Sequence, residues 1–145
     1  IASGNVIFST GARDLVALER KIELRLGKAL GYEVKTFLRT VPEVAAVAAY
    51  APFTASRIRS AGAFSVGFLA EPLDAAATAT LMAMRTAIDD FHVHGREVYW
   101  LCTEKQSESR FSNVVFERAL KTRATFRGAN TVARIAARWL SDISP

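Results

Sequence analysis

The order of hydrophobic periods between Gly62 and Arg127 predicts an α+β protein of the split βαβ, ferredoxin-like kind. Three observations carry this. Ala63 to Leu69 alternate like a strand, and Asp74 to Ile88 repeat like a helix. Phe91 to His94 and Glu97 to Thr103 then read as two strands joined across Gly95-Arg96. Arg110 to Lys121 are helical again, Arg123 to Arg127 return as a strand, and a last helix follows. Upstream, a strand, a helix and a strand repeat part of this order. The chain therefore reads as two ferredoxin-like (βαββαβ) halves with antiparallel sheets, the first incomplete, plus a C-terminal helix. Residues 1–53 would be the C-terminal part of the first half, 54–62 a linker, and 63–145 the second half.

Taken in order, Asn5 to Ser9 are expected as a short strand with Val6 and Phe8 on one face. A helix is expected from about Arg13 to Leu30, with Leu15, Leu18, Ile22, Leu26 and Ala29 on one stripe. Gly31 suits the left-handed position that ends a helix. Glu33 to Arg39 should be a strand. Thr40-Val41-Pro42-Glu43 has the form of a capping box, in which threonine and glutamate satisfy each other's backbone amides. The short helix it starts should stop before Pro52. Thr54 to Gly62 hold one large apolar residue, Ile58, and read as the linker.

In the second half, Phe64, Val66 and Phe68 share one face of the first strand, and Ser65, Gly67 and Leu69 the other. Leu73, Ala77, Leu81, Met84 and Ile88 form the buried stripe of the following helix. The hairpin should set Val93 opposite Val98 and His92 opposite Tyr99. Phe91, Val93, Val98, Trp100 and Cys102 then point to the helices, and His92, His94, Glu97, Tyr99 and Leu101 to the other side. Ser107 or Ser109 is expected to cap the next helix, and Asn130 the last one. That last helix carries Val132, Ile135, Ala136, Trp139 and Leu140 on one stripe.

Composition narrows the classes of function. Half of the 145 residues are hydrophobic, enough to bury a core, yet no apolar run approaches the ~20 residues of a membrane helix. No membrane partner is expected. The sole cysteine, Cys102, excludes an internal disulfide and fits a reducing, cytoplasmic setting. The chain opens on Ile1 with residues that read as mid-strand, so a fragment lacking its N-terminus is expected, able to self-associate through the exposed first half. The net charge is +5. Arg110, Arg118, Lys121, Arg123, Arg127, Arg134 and Arg138 stand against Glu117 between positions 110 and 138, seven minus one or +6. Such clustering favours an anionic ligand or nucleic acid, and it is equally the pattern of a solvated helical face.

An ordered set of short motifs adds a resemblance. Ser3-Gly4-Asn5-Val6-Ile7-Phe8, Ala51-Pro52-Phe53, the strand from Phe64 to Pro72, Gly95-Arg96-Glu97-Val98-Tyr99, Glu117-Arg118-Ala119-Leu120, Ala124-Thr125-Phe126-Arg127 and Asn130-Thr131-Val132 follow one another along the chain. This set resembles the bacterial domain-of-unknown-function family 1697. The resemblance implies two ferredoxin-like halves, a missing strand-helix-strand unit at the start, and no established activity. The chain departs from the family at Gly128-Ala129, where Asn-Trp is usual, and Arg110 stands near a usual lysine.

No catalytic set emerges. His92 and His94 share a strand face, as two zinc ligands would, but a catalytic zinc needs three protein ligands and Cys102 falls on the opposite face. Solvated strand histidines and no metal are the expectation. Cys102 among Val93, Val98 and Trp100 reads as a buried thiol rather than a nucleophile. RNA recognition on an open sheet face needs aromatic rings on the central strands, and Tyr99 faces Ser65 and Gly67 in this reading. The turn Arg127-Gly128-Ala129-Asn130-Thr131 leads from a strand into a helix N-terminus, whose amides attract anions. Arg123 and Arg127 alternate onto one face of that strand. The expected function is a non-enzymatic binding module for an anionic ligand or partner, with Ser3, Asn5, Arg123, Arg127, Asn130 and Thr131 as ligand-binding residues and no cofactor. The alternative is a small-molecule enzyme with its site between the halves, lined by Ser3, Asn5, Arg127 and Asn130.

Overall fold

A computed structural model of the chain describes residues 4–140. The chain divides into two compact units at Leu38 and Arg39.

The first unit holds one helix, α1 (Leu15–Leu30). Asp14 caps it by accepting from the Ala17 amide, and Gly31 ends it at φ 78°, a left-handed value that glycine takes without a Cβ clash. Leu15, Leu18, Ile22 and Leu26 are half-buried, as their spacing requires, and none is fully buried. The expected strands Asn5 to Ser9 and Glu33 to Arg39 form no ladder among the described residues. The reason lies on α1. Glu23 accepts from the Thr36 amide at 3.0 Å and Glu19 from the Leu38 amide at 2.7 Å. Two alternate amides of the segment are thus satisfied by carboxylates, where a strand would use a neighbouring strand.

The second unit contains the ferredoxin-like sheet. Its elements are α2 (Val41–Ala49), α3 (Ala55–Ser60), β1 (Ala63–Leu69), α4 (Ala75–Met82), β2 (Asp89–His94), β3 (Glu97–Cys102), α5 (Asn113–Leu120), β4 (Ala124–Gly128) and α6 (Ala129–Leu140). The sheet order is β2-β3-β1-β4, antiparallel throughout. The hairpin register places Val93 opposite Val98 and His92 opposite Tyr99. Gly95 alone in its turn has positive φ, at 57°, as a type II′ connection requires.

One sheet face packs on α4 and α5 through Leu69, Leu81, Phe91, Val98, Trp100, Cys102, Phe111 and Phe116. The alternation read from the sequence is the one observed. The other face is closed by α2 and α6, with Val47, Val66, Phe68, Tyr99, Leu101, Val132 and Ala136 buried there. Register corrects one pairing: Tyr99 stands opposite Val66, while Ser65 and Gly67 stand opposite Trp100 and Val98 on the α4/α5 face. Gly67 leaves room for the Phe126 ring, whose carbons would lie 2.7 Å from an added Cβ.

Four expectations about element limits are corrected. The linker 54–62 contains α3, capped by Thr54. α4 ends at Met82 because Thr86 turns back on Asp89, its amide donating to the Asp89 carbonyl and its hydroxyl to the carboxylate. Met84 and Ile88 still pack against the core. α5 starts after Ser112, which accepts from the Val115 amide, since Ser109 is engaged with Asp89. Asn130 is no cap and lies inside the first turn of α6.

Both sheet edges are blunted by side chains. At β4, the Ala124 amide donates to Glu117 at 3.0 Å and its carbonyl accepts from Asn113 at 3.0 Å. At β2, the Phe91 amide donates to its neighbour Asp90, and Asp89 is bonded by Thr86. Outward backbone groups filled in this way offer a poor template for another strand.

Candidate functional site

The residues expected to bind a ligand divide among several environments. Ser3 lies outside the described residues. Asn5 is exposed in the first unit. Arg123 precedes β4 and donates through Nε to Glu117 at 3.1 Å. Arg127 is half-buried and folds along its own strand, Nη1 donating to Thr125 Oγ1 at 2.6 Å and to the Phe126 carbonyl at 2.9 Å. Burial pulls its pKa below the ordinary arginine value. Four residues of strand separate the two arginines by roughly 13 Å. Asn130 is exposed, and Thr131 Oγ1 accepts from Arg134 Nη2 at 3.4 Å in the first turns of α6. Arg110, Arg118, Lys121, Arg134 and Arg138 are exposed.

His92 and His94 meet an aromatic partner that sequence reasoning did not supply. Tyr50, the residue ending α2, lies 4.0 Å from the His94 ring, nearly parallel to it. Its hydroxyl is 2.7 Å from His92 Nε2. Tyr99 lies beneath, 1% exposed, with its hydroxyl unbonded and its pKa pushed up by burial. An open stacking platform for RNA needs exposed rings; this face is covered. Among the described residues no three His, Cys, Asp or Glu side chains gather as a metal site. Cys102 is buried, and burial raises its pKa, so the thiolate is disfavoured.

Two ion pairs also escaped the sequence reading. Arg39 donates through Nη2 to Glu97 at 3.1 Å and to the carbonyls of Leu69 and Arg96, its side chain only 4% exposed. Arg96 pairs with Glu43 at 2.6 Å, the glutamate that completes the α2 capping box. The Gly95-Arg96-Glu97 turn therefore holds the start of α2 to the hairpin. That gives a structural reason for the motif in which it sits. The family model described as protein of unknown function (DUF1697) matches residues 1–99. The chain belongs to this family. The match includes the hairpin turn and both ion pairs of the DUF1697 chain, and it ends before the basic segment 110–138. No curated protein and no solved structure matches the chain.

The polar hub of the DUF1697 sheet is Asp89, 3% exposed at the start of β2. Its carboxylate accepts from Trp100 Nε1 at 2.9 Å, from the Ser109 hydroxyl at 2.8 Å and from the Thr86 hydroxyl at 2.8 Å. A buried carboxylate needs such donors to offset its lost hydration. Next to it, a cleft of about 380 Å³ is lined by Arg57, Arg85, Thr86, Asp90, Leu101 and Thr103 among others. The signal in the sequence was the acidic pair Asp89-Asp90 opening a strand that goes on as Phe-His-Val-His.

Proposed function

We propose that this protein of the DUF1697 family is a non-enzymatic binding module for an anionic partner. The observation that carries the reading is the exposure of Arg110, Arg118, Lys121, Arg134 and Arg138 within residues 110–138, the stretch of chain from just before α5 into α6. Arg134 leans toward Thr131 in the first turns of α6, where free amides and the helix dipole already favour negative charge. A polyanion laid there would release condensed counterions, and its affinity would fall steeply with salt. Fluorescence titration of the chain with a labelled single-stranded oligonucleotide at low and at moderate salt tests this. Saturable binding that weakens with salt, and that weakens again in Arg118→Gln/Arg134→Gln, is the expected result. Undetectable binding at low salt means that the basic stretch is only a solvated face.

A second reading concerns self-association through the first unit. It is favoured by the exposure of Val6, Ile7, Phe8, Val16, Leu24, Leu30 and Tyr32, all within residues 4–38. Apolar surface gathered on one unit recruits other chains. A cytoplasmic location is part of the same proposal, supported by a sole cysteine held as a buried free thiol.

A further inference from the structure

The cleft beside Asp89 has the chemistry of a small-anion site, separate from the basic stretch of α5 and α6. It lies where the Arg57 side chain of α3, the loop between α4 and β2, and the end of β3 come together. Its floor is held in place. Thr86 Oγ1 accepts from the amides of Ile88 and Asp89 and donates to the Asp89 carboxylate, while the Thr86 amide donates to the Asp89 carbonyl. Thr103 N donates to the Ile88 carbonyl and ties the floor to the end of β3.

The Asp89 carboxylate has little acceptor capacity left, and each Asp90 oxygen already takes one donor. Asp89 takes Trp100 and Ser109 on one oxygen, and Thr86 and Ser109 on the other. Asp90 takes the Phe91 amide on Oδ1 and Arg57 Nη2 on Oδ2 at 2.9 Å. The donors are less spent. Arg85 donates through Nε to the Met82 carbonyl at 3.0 Å and has both Nη groups left, while Arg57 pairs one Nη with Asp90 and lies over the Phe53 ring, 5.0 Å from its centroid. A guanidinium offers five N–H donors in a planar fork suited to carboxylate or phosphate. Thr103, Leu101 and Ile88 complete the lining. The residual chemistry of the cleft is thus that of a donor set with a fixed floor. We infer that this cleft binds a small molecule through a carboxylate or phosphate group, with Arg85 and Arg57 as the anion-contacting residues.

The test is a two-dimensional NMR titration of the full chain, observing backbone amides and arginine Nε–H groups. Inorganic phosphate is one probe and succinate the other, each against sodium chloride of matched ionic strength. The expected result is saturable shifts at Arg85 Nε and the Thr86, Ala87 and Thr103 amides, fitting one dissociation constant. Arg85→Gln should weaken binding about tenfold, the effect of losing one charge-assisted hydrogen bond. Asp90→Asn releases Arg57 from its partner and should tighten binding, which a variant that merely loosens the fold would not do. Preference for phosphate or for succinate identifies the oxyanion class. Non-saturating shifts, shifts confined to Arg118, Arg134 and Arg138, or equal response to chloride overturn the proposal. Arg118→Gln/Arg134→Gln leaves the cleft unchanged, so failure of the oligonucleotide titration and failure of this one are read separately.

Discussion

The two units show opposite solutions to the same backbone problem. Both contain an amphipathic helix and extended segments, and in both the extended amides need acceptors. In residues 39–140 the acceptors are other strands, and the sheet so formed has two faces on which helices bury apolar side chains. In residues 4–38 the acceptors at Thr36 and Leu38 are Glu23 and Glu19 of α1. Carboxylates satisfy hydrogen bonds but build no surface. Among the described residues, seven of the nine large hydrophobics that stay exposed lie in this shorter unit. Backbone satisfaction and core formation are separate requirements, and only the ladder meets both.

The largest effect follows from truncating the core on each side of this comparison. Leu81 is fully buried on α4, whereas Leu18 is only half-buried on α1. Leu81→Ala should cost about 2–5 kcal/mol, the range for a buried leucine that leaves a cavity. Leu18→Ala should cost well under half of that, because its site is already partly open to water. Urea unfolding followed by far-ultraviolet circular dichroism measures both. Equal costs would mean that α1 is packed as tightly as α4, and the contrast between the units would fail.

An intermediate effect is expected from association. If the apolar surface of the first unit is used between copies, light scattering across a dilution series should show the mean mass falling as protein is diluted. Val16→Lys and Leu24→Lys place charges on the most exposed of the large α1 side chains, 70% and 62% exposed, and should shift the species to monomer. A monomer at every concentration before mutation removes this reading and leaves the first unit exposed on its own.

Legibility in the sequence followed the same division. Period-two and helical patterns located every strand and α-helix described from Ala63 onward, though not the 3-10 turn Gln106–Glu108, because in a two-faced sheet each residue's side is decided by burial. The hairpin was readable to the residue, since a two-residue turn fixes register. Asn5 to Ser9 and Glu33 to Arg39 carry equally good alternation and yet form no strand, because alternation describes a segment while a strand requires a neighbour. The ring that covers Tyr99 was not legible, as Tyr50 is placed by the end of α2 and not by any period of its own. Arg39, Glu97, Arg96 and Glu43 were invisible as pairs for a similar reason. They lie 53 to 58 residues apart, and only the hairpin brings them together. Of the expected ligand residues, Asn130 and Thr131 share the start of α6, while Arg123 and Arg127 are engaged on neighbouring side chains or their own strand.

The smallest effect sharpens the comparison most, because the same residue type acts in both units. Glu23 and Glu43 each have a pKa below the ordinary 4.5. In each, burial alone would raise it, and the hydrogen bonds outweigh burial: the Thr36 amide and Lys35 at Glu23, the Thr40 amide and Arg96 at Glu43. A carboxylate whose folded pKa is depressed contributes stability above its unfolded pKa and loses it as pH falls through the folded value. Both contributions are therefore present at neutral pH and disappear on the acid side of 4.5. Each is partly exposed and worth about 1 kcal/mol at most. The consequences differ. Protonating Glu43 loosens one helix cap, while the β1 and β3 ladder beside it keeps its own hydrogen bonds. Protonating Glu23 takes the charge from an acceptor that no strand replaces. Hydrogen exchange by NMR should show the Thr36 amide losing protection on acidification while the Val66 and Tyr99 amides keep theirs. Glu23→Ala should produce the same selective loss at neutral pH. If Thr36 and the ladder amides lose protection together, the first unit does not open on its own, and the carboxylates are not what holds its extended segment.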